Sequence, residues 1–156
     1  MAAAYDQSAY DNKNLLHIQS SGNSGTSAPE AGLYQGLSNY NNLTGNYKNS
    51  KNTLVVGAVD TTGQHVIFSS SGPTYDGRIK PEITTYSVAG TSNAAALVSG
   101  TAVLMQQQYK SKYNSTMPSA LMKAILINTA DDVMEQGPDF QTGYGQLNAL
   151  AAIETI

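Results

Sequence analysis

Apolar residues in this chain fall into short unbroken runs separated by long polar stretches, and the runs differ in kind. "MAAAYDQSAYDNKN" (1–14) carries helix-forming residues and stops at Asn12 to Asn14. "LLHIQSSGNSG" (15–25) reads as a buried strand that ends in a tight loop of small residues. Residues 26–51 show no apolar periodicity and read as loop. "NTLVVGAVD" (52–60) is a second buried strand bounded by Asn and Asp. "TTGQHVIFSSSGPTYDGRIKPEI" (61–83) predicts a turn, a short strand and an extended segment punctuated by Gly and Pro.

Two helices follow. The first, about 92–109, is small and apolar on nearly every side at its start, which predicts a helix buried all round. Its far end, "QQQYKSKY", turns polar as if emerging into water. The second lies within "PSALMKAILINTADD" (118–132), with Pro118 near its first turn, where proline is tolerated. There Leu121, Ala124 and Ile125 repeat at helical spacing. "GPDFQTGYGQLNALAAIETI" (137–156) closes with a Gly-rich turn and a short apolar helix. Strands joined by long connections and helices predict an α/β layered fold with a mainly parallel sheet.

Composition narrows the function classes. The 156 residues are enough for one domain with a real core. Only 12% are charged and the net charge is −3, so no basic patch for nucleic acid is expected. No cysteine is present, which excludes disulfides and thiolate metal sites. No run approaches the length of a membrane span. The first residues have neither the basic nor the apolar region of a secretory signal. The uncharged polar surface is of the kind common in exported proteins.

Chemistry concentrates at two places. "SSGN" (20–23) ends a strand in small residues, and Asn23 carries an amide that can donate to a developing oxyanion. "GTS" (90–92) opens the first long helix, where backbone N–H groups lack partners. Acyl transfer by a hydroxyl needs such a nucleophile together with preorganised donors. Taken alone, Thr91 and Ser92 read first as plain helix caps, and only the combination of signals favours chemistry.

The order and spacing of "SSGNSG", "NTLVVGAVD", "FSSSGPTYDGRIKPEI", "GTSNAAALVSG", "LMKAILINTADDV" and "GPDFQTGYGQLNAL" resemble the subtilisin-like serine peptidases, the subtilases, closest to bacterial, Bacteroidetes-type branches. The resemblance implies part of a three-layer fold whose buried central helix starts at the nucleophile. It implies Ser92 as that nucleophile, and Asn23 with the Ser92 backbone N–H as the oxyanion hole. Ser20, Ser21 and Gly22 would wall the pocket for the side chain before the scissile bond, with Gly90 and Thr91 also beside the bound peptide. "FSSSGP" would be a structural loop against the sheet. A peptide or protein is the implied substrate. No cofactor or metal ligand set is identifiable, and structural calcium enters only as a family feature.

The resemblance also marks what the chain does not carry. Subtilases take their base and its orienting carboxylate from His-Gly and Asp-x-Gly motifs in the first half of the domain. Here His17 lies within a strand, His65 in a loop, Asp60 before "TTG", and Asp131 and Asp132 at a helix end. Residue 93 is Asn where the family usually has Met, and Ala96–Leu97 stand for its frequent Pro-His. Residues 1–156 are therefore expected to be the C-terminal half of a catalytic domain, inactive alone and partnered by an N-terminal half. Expected alongside are an extracellular or cell-surface location in a bacterium, and a molten or associating isolated chain. Two other readings are a non-catalytic binding or scaffold module and, from composition alone, carbohydrate binding by the Tyr/Asn-rich loop 34–52.

Overall fold

A computed structural model describes residues 1–156. Three parallel strands form one sheet in the order β1 (Ile18–Ser20), β2 (Leu54–Val59), β3 (Ile83–Tyr86). Ile18 pairs with Leu54 and Val56 with Ile83. Helix α1 (Ala2–Asp11) precedes β1, α2 (Thr91–Tyr113) follows β3, and α3 (Ser119–Asn128) and α4 (Ala149–Glu154) complete the chain. The architecture is α/β, as expected. The loop 26–51 holds only a 3-10 turn at Asn46–Asn49.

β2 reads as an unbroken apolar run because both its faces are covered. Leu54, Val56 and Ala58 point into a core with Val98 and Met105 of α2, Leu126 of α3 and Met117. On the other face Gly57 lies against Pro81 and Ser69, so closely that a Cβ would crowd them. Three sequence expectations need correction. β1, read as a buried strand, is half-buried along its three residues, because it forms an edge of the sheet. No strand forms after "TTG": His65 makes a single antiparallel bridge to Val59, because the backbone must turn to lay the serines over the sheet. And α2 is not buried all round. Its inward stripe is Thr91, Ala94, Val98, Thr101, Ala102 and Met105, whereas Leu97, Val103 and Leu104 are 51%, 67% and 51% exposed. Small apolar residues on every side hide this division from the sequence.

β1 is also open on one side. Leu54 N–H donates to the His17 carbonyl and Ser21 N–H to that of Val56, both 2.8 Å, so Gln19 faces β2 and the backbone of Ile18 and Ser20 faces away from it. Gln19 Oε1 and Ser21 Oγ are buried without a hydrogen-bond partner. An open edge beside an apolar helix face favours association. Sedimentation velocity should show the 156-residue chain self-associating with rising concentration, and Val103→Gln with Leu104→Gln should return it toward monomer. A concentration-independent monomer with a sharp melt would contradict this. No helix is long and apolar enough to cross a membrane.

Candidate active site

The site forms where β1 and β3 end, at the carboxyl edge of the parallel sheet, the usual place for ligands in open α/β folds. β1 runs out at Ser20, and Gly22 turns the chain at φ +118°. A side chain at Gly22 would collide with the Thr44 and Ser70 side chains. Only glycine suits both the dihedral and the space. The turn delivers Asn23 to the start of α2.

There Thr91 joins the two elements. Its backbone N–H donates to Asn23 Oδ1 at 2.9 Å and its hydroxyl to the same oxygen at 3.0 Å. The hydroxyl in turn accepts the Gly22 N–H at 3.1 Å. A backbone N–H can only donate, so the Asn23 carboxamide has one sensible orientation. Its oxygen faces Thr91, and its NH₂ lies toward Gly90, whose missing side chain leaves that direction open. Asn23 itself is exposed, whereas Thr91 is fully enclosed.

The first turn of α2 supplies a second donor. Asn23 takes the Thr91 N–H, and the Gly90 carbonyl takes that of Asn93 at 3.1 Å. The Ser92 N–H is left free, at the positive end of a 23-residue helix. Ser92 is exposed one residue beyond the Thr91 pin. The link from β3 is short: Ser87 holds it by donating from Oγ to the Gly90 carbonyl at 2.8 Å. Of the residues expected beside a bound peptide, Ser21, Gly22, Gly90 and Thr91 are buried and Ser20 is half-buried.

The serine-rich loop clamps this turn, a role the sequence alone did not assign to particular residues. Ser69, Ser70 and Ser71 are completely buried. Ser70 donates its N–H to the Gly22 carbonyl at 2.9 Å and accepts the Ser24 N–H on its hydroxyl at 3.0 Å, so it grips both sides of Asn23. Ser69 Oγ accepts the Ala58 N–H and ties the loop to β2. Thr44 closes the far side through its N–H to the Ser21 carbonyl, and its hydroxyl accepts from Lys48, whose ammonium burial lowers to a pKa of about 8. The run of three serines beside Gly-Pro was the available signal. The partners of Ser70, Gly22 and Ser24, lie more than 40 residues away, so spacing could not reveal them.

Both histidines are engaged elsewhere. His17 Nε2 lies 3.0 Å from Ser8 Oγ with its ring edge-on to Tyr5, and His65 Nε2 lies 3.3 Å from the buried Ser71 hydroxyl. Burial holds His65 below its ordinary pKa, against the opposing pull of a hydrogen bond at Ser69 and the charge of Asp139. Asp60 folds its carboxylate back onto Thr62 and Gln64, which lowers its pKa. None of these groups is hydrogen-bonded to Ser92.

A parallel sheet ending in a strand-borne amide and a helix-borne serine is the framework of a subtilisin-like peptidase domain. The sequence model of the Subtilase family matches residues 1–145, and the chain belongs to that family. Among solved structures it is similar to the prenylagaramide maturation protease PagA, with 26% identity and a TM-score of 0.72 over 97% of this chain and 54% of that one. The patellamide maturation protease PatA, at 22% identity and TM-score 0.72 over 99% and 55%, shares the fold. So does a lanthipeptide protease, at 21% and 0.70 over 99% and 55%. A serine protease/ABC transporter B family protein, tagA, of Dictyostelium discoideum is 29% identical over 57% of this chain and 8% of its own length. The chain thus spans about half of each solved protease and a small fraction of the Dictyostelium protein.

Proposed function

We propose that residues 1–156 carry the nucleophile and oxyanion-binding half of a serine endopeptidase domain, and that the general base and its carboxylate come from a complementary half. Ser92 Oγ attacks the scissile carbonyl and gives its proton to that base. The carbonyl oxygen, now negative, is held by Asn23 Nδ2 and the Ser92 N–H. The C–N bond then breaks, the amine leaves with the proton, and water hydrolyses the acyl-enzyme. The observation that carries this reading is the lock of Asn23 Oδ1 on Thr91, which aims the amide's donor end away from the fold. Alone, the chain has no base within reach of Ser92 and turns over no substrate.

A fluorophosphonate probe applied to the full-length protein should label Ser92. Labelling that persists unchanged in Ser92→Ala would overturn the assignment. The engagement of both histidines with Ser8 and Ser71 favours a second reading, a non-catalytic binding module. A full-length protein without in-frame Asp-x-Gly and His-Gly motifs, and without labelling, would establish that reading instead. An extracellular or cell-surface location accords with the uncharged polar composition.

A further inference from the structure

The cations of this chain are unevenly placed. It has eight Lys and Arg in a net charge of −3, yet Lys13, Lys51, Arg78, Lys80 and Lys123 all line two adjoining hollows. One hollow, of about 490 Å³, has Lys51, Arg78, Lys80 and Lys123 around it, with Glu82 as its one carboxylate. The other, of about 590 Å³, is walled by Tyr10, Pro118, Ala124 and Ile127, with Lys13 at its side. Lys123 and Ile127 line both, so the two hollows lie side by side and together make a groove.

Charge in the groove is not balanced from within. Glu82 Oε1 accepts from Lys80 at 2.5 Å and Lys123 at 2.8 Å, while its Oε2 accepts the Val55 N–H at 2.7 Å. One carboxylate thus serves two ammonium groups, and Lys80 is 1% exposed. Asp76 is taken by Arg78, and Asp6 Oδ1 by the N–H groups of Lys51 and Asn52. Five cations therefore face three carboxylates, all three committed. The Lys51 ammonium at the rim is exposed and bonded to nothing in the fold.

We propose that this groove docks an extended acidic peptide segment, with a carboxylate in the lysine-lined hollow and a neighbouring apolar side chain against Tyr10 and Ile127. Charge complementarity selects the acidic partner, and the alternation of a cationic hollow with an apolar one selects a chain rather than a lone ion. Lys51 and Lys80 precede β2 and β3, whereas Asn23 and Thr91 follow β1 and β3. The groove therefore lies at the opposite end of the strands from Ser92, on the order of 15–20 Å away. It is an exosite, and binding there needs no step of the peptidase chemistry.

Fluorescence anisotropy with a labelled octapeptide of alternating Glu and Leu tests it on the full-length protein carrying Ser92→Ala, which leaves the probe uncleaved. The peptide should bind, more weakly as salt rises, and its Gln/Leu counterpart at least tenfold more weakly. Lys51→Glu and Lys13→Glu, both at exposed positions, should each weaken binding at least fivefold, whereas Lys110→Glu on α2 should not change it. Circular dichroism on each variant separates lost binding from lost fold. Failure of the Glu/Leu peptide to bind, equal affinity for the Gln/Leu peptide, insensitivity to both rim substitutions, or binding of inorganic phosphate alone would each overturn the proposal.

Discussion

Asn23→Asp in the full-length protein lowers kcat by at least about 10²–10³-fold, the usual cost of losing one oxyanion donor, while the thermal midpoint moves little. The substitution is chosen because of what it keeps. One carboxylate oxygen still accepts from the Thr91 N–H and hydroxyl, so the joint between β1 and α2 survives. The other oxygen replaces the NH₂ and meets the developing oxyanion with like charge. KM should change little, since the lost interaction exists chiefly in the transition state. Asn23→Ala is a poorer test, because it also leaves the Thr91 N–H without its acceptor. Steady-state kinetics beside a melting curve decide the matter. Full activity in Asn23→Asp would mean that the amide does not face the reacting carbonyl, and a collapsed melt would mean that it serves the fold alone.

What could be read in advance follows the range of the interactions. β2 was legible because six buried residues in a row leave little else, and α1, α3 and α4 because their spacing and boundaries are local. Asn23 and Ser92 were singled out by residue type at an element end, and Gly22 turns the first of them onto the second element. The clamp was not legible. Ser70 reaches Gly22 and Ser24, and Thr91 reaches Gly22 and Asn23, across 46 to 69 residues of chain, through hydroxyls that look like ordinary loop chemistry. The one-sided burial of α2 was hidden for a different reason. Its outer face is as apolar as its inner one, so the periodicity that marks a half-buried helix is absent. An apolar face open to water in this chain accords with the proposal that a further half of the domain covers it.

The cationic groove was invisible for a third reason: Lys51, Lys80, Glu82 and Lys123 come from three separate segments, and only the fold assembles them. Their network supports the second large effect. Glu82→Gln should destabilise the chain by about 3–5 kcal/mol, the range for removing one partner of a buried ion pair. The amide can still accept the Val55 N–H, but two ammonium groups lose their only carboxylate, and Lys80 is almost fully enclosed. Lys80→Met in the Glu82→Gln background removes the worse of the stranded charges and should recover part of the loss, a coupling that a double-mutant cycle reads directly. Acidity gives an independent check. Burial lowers the Lys80 pKa from 10.5 to about 8, with the Glu82 charge opposing the shift. Between those values the unfolded chain holds a proton that the folded chain has released, so this group's contribution makes stability rise with pH from about 8 to 10.5. Below about 8 both states are protonated and the penalty is fully present. Lys80→Met should flatten that rise in the denaturation midpoint. An unchanged slope, or a Glu82→Gln protein as stable as its parent, would show that the two lysines are hydrated by water entering the groove rather than held by the carboxylate.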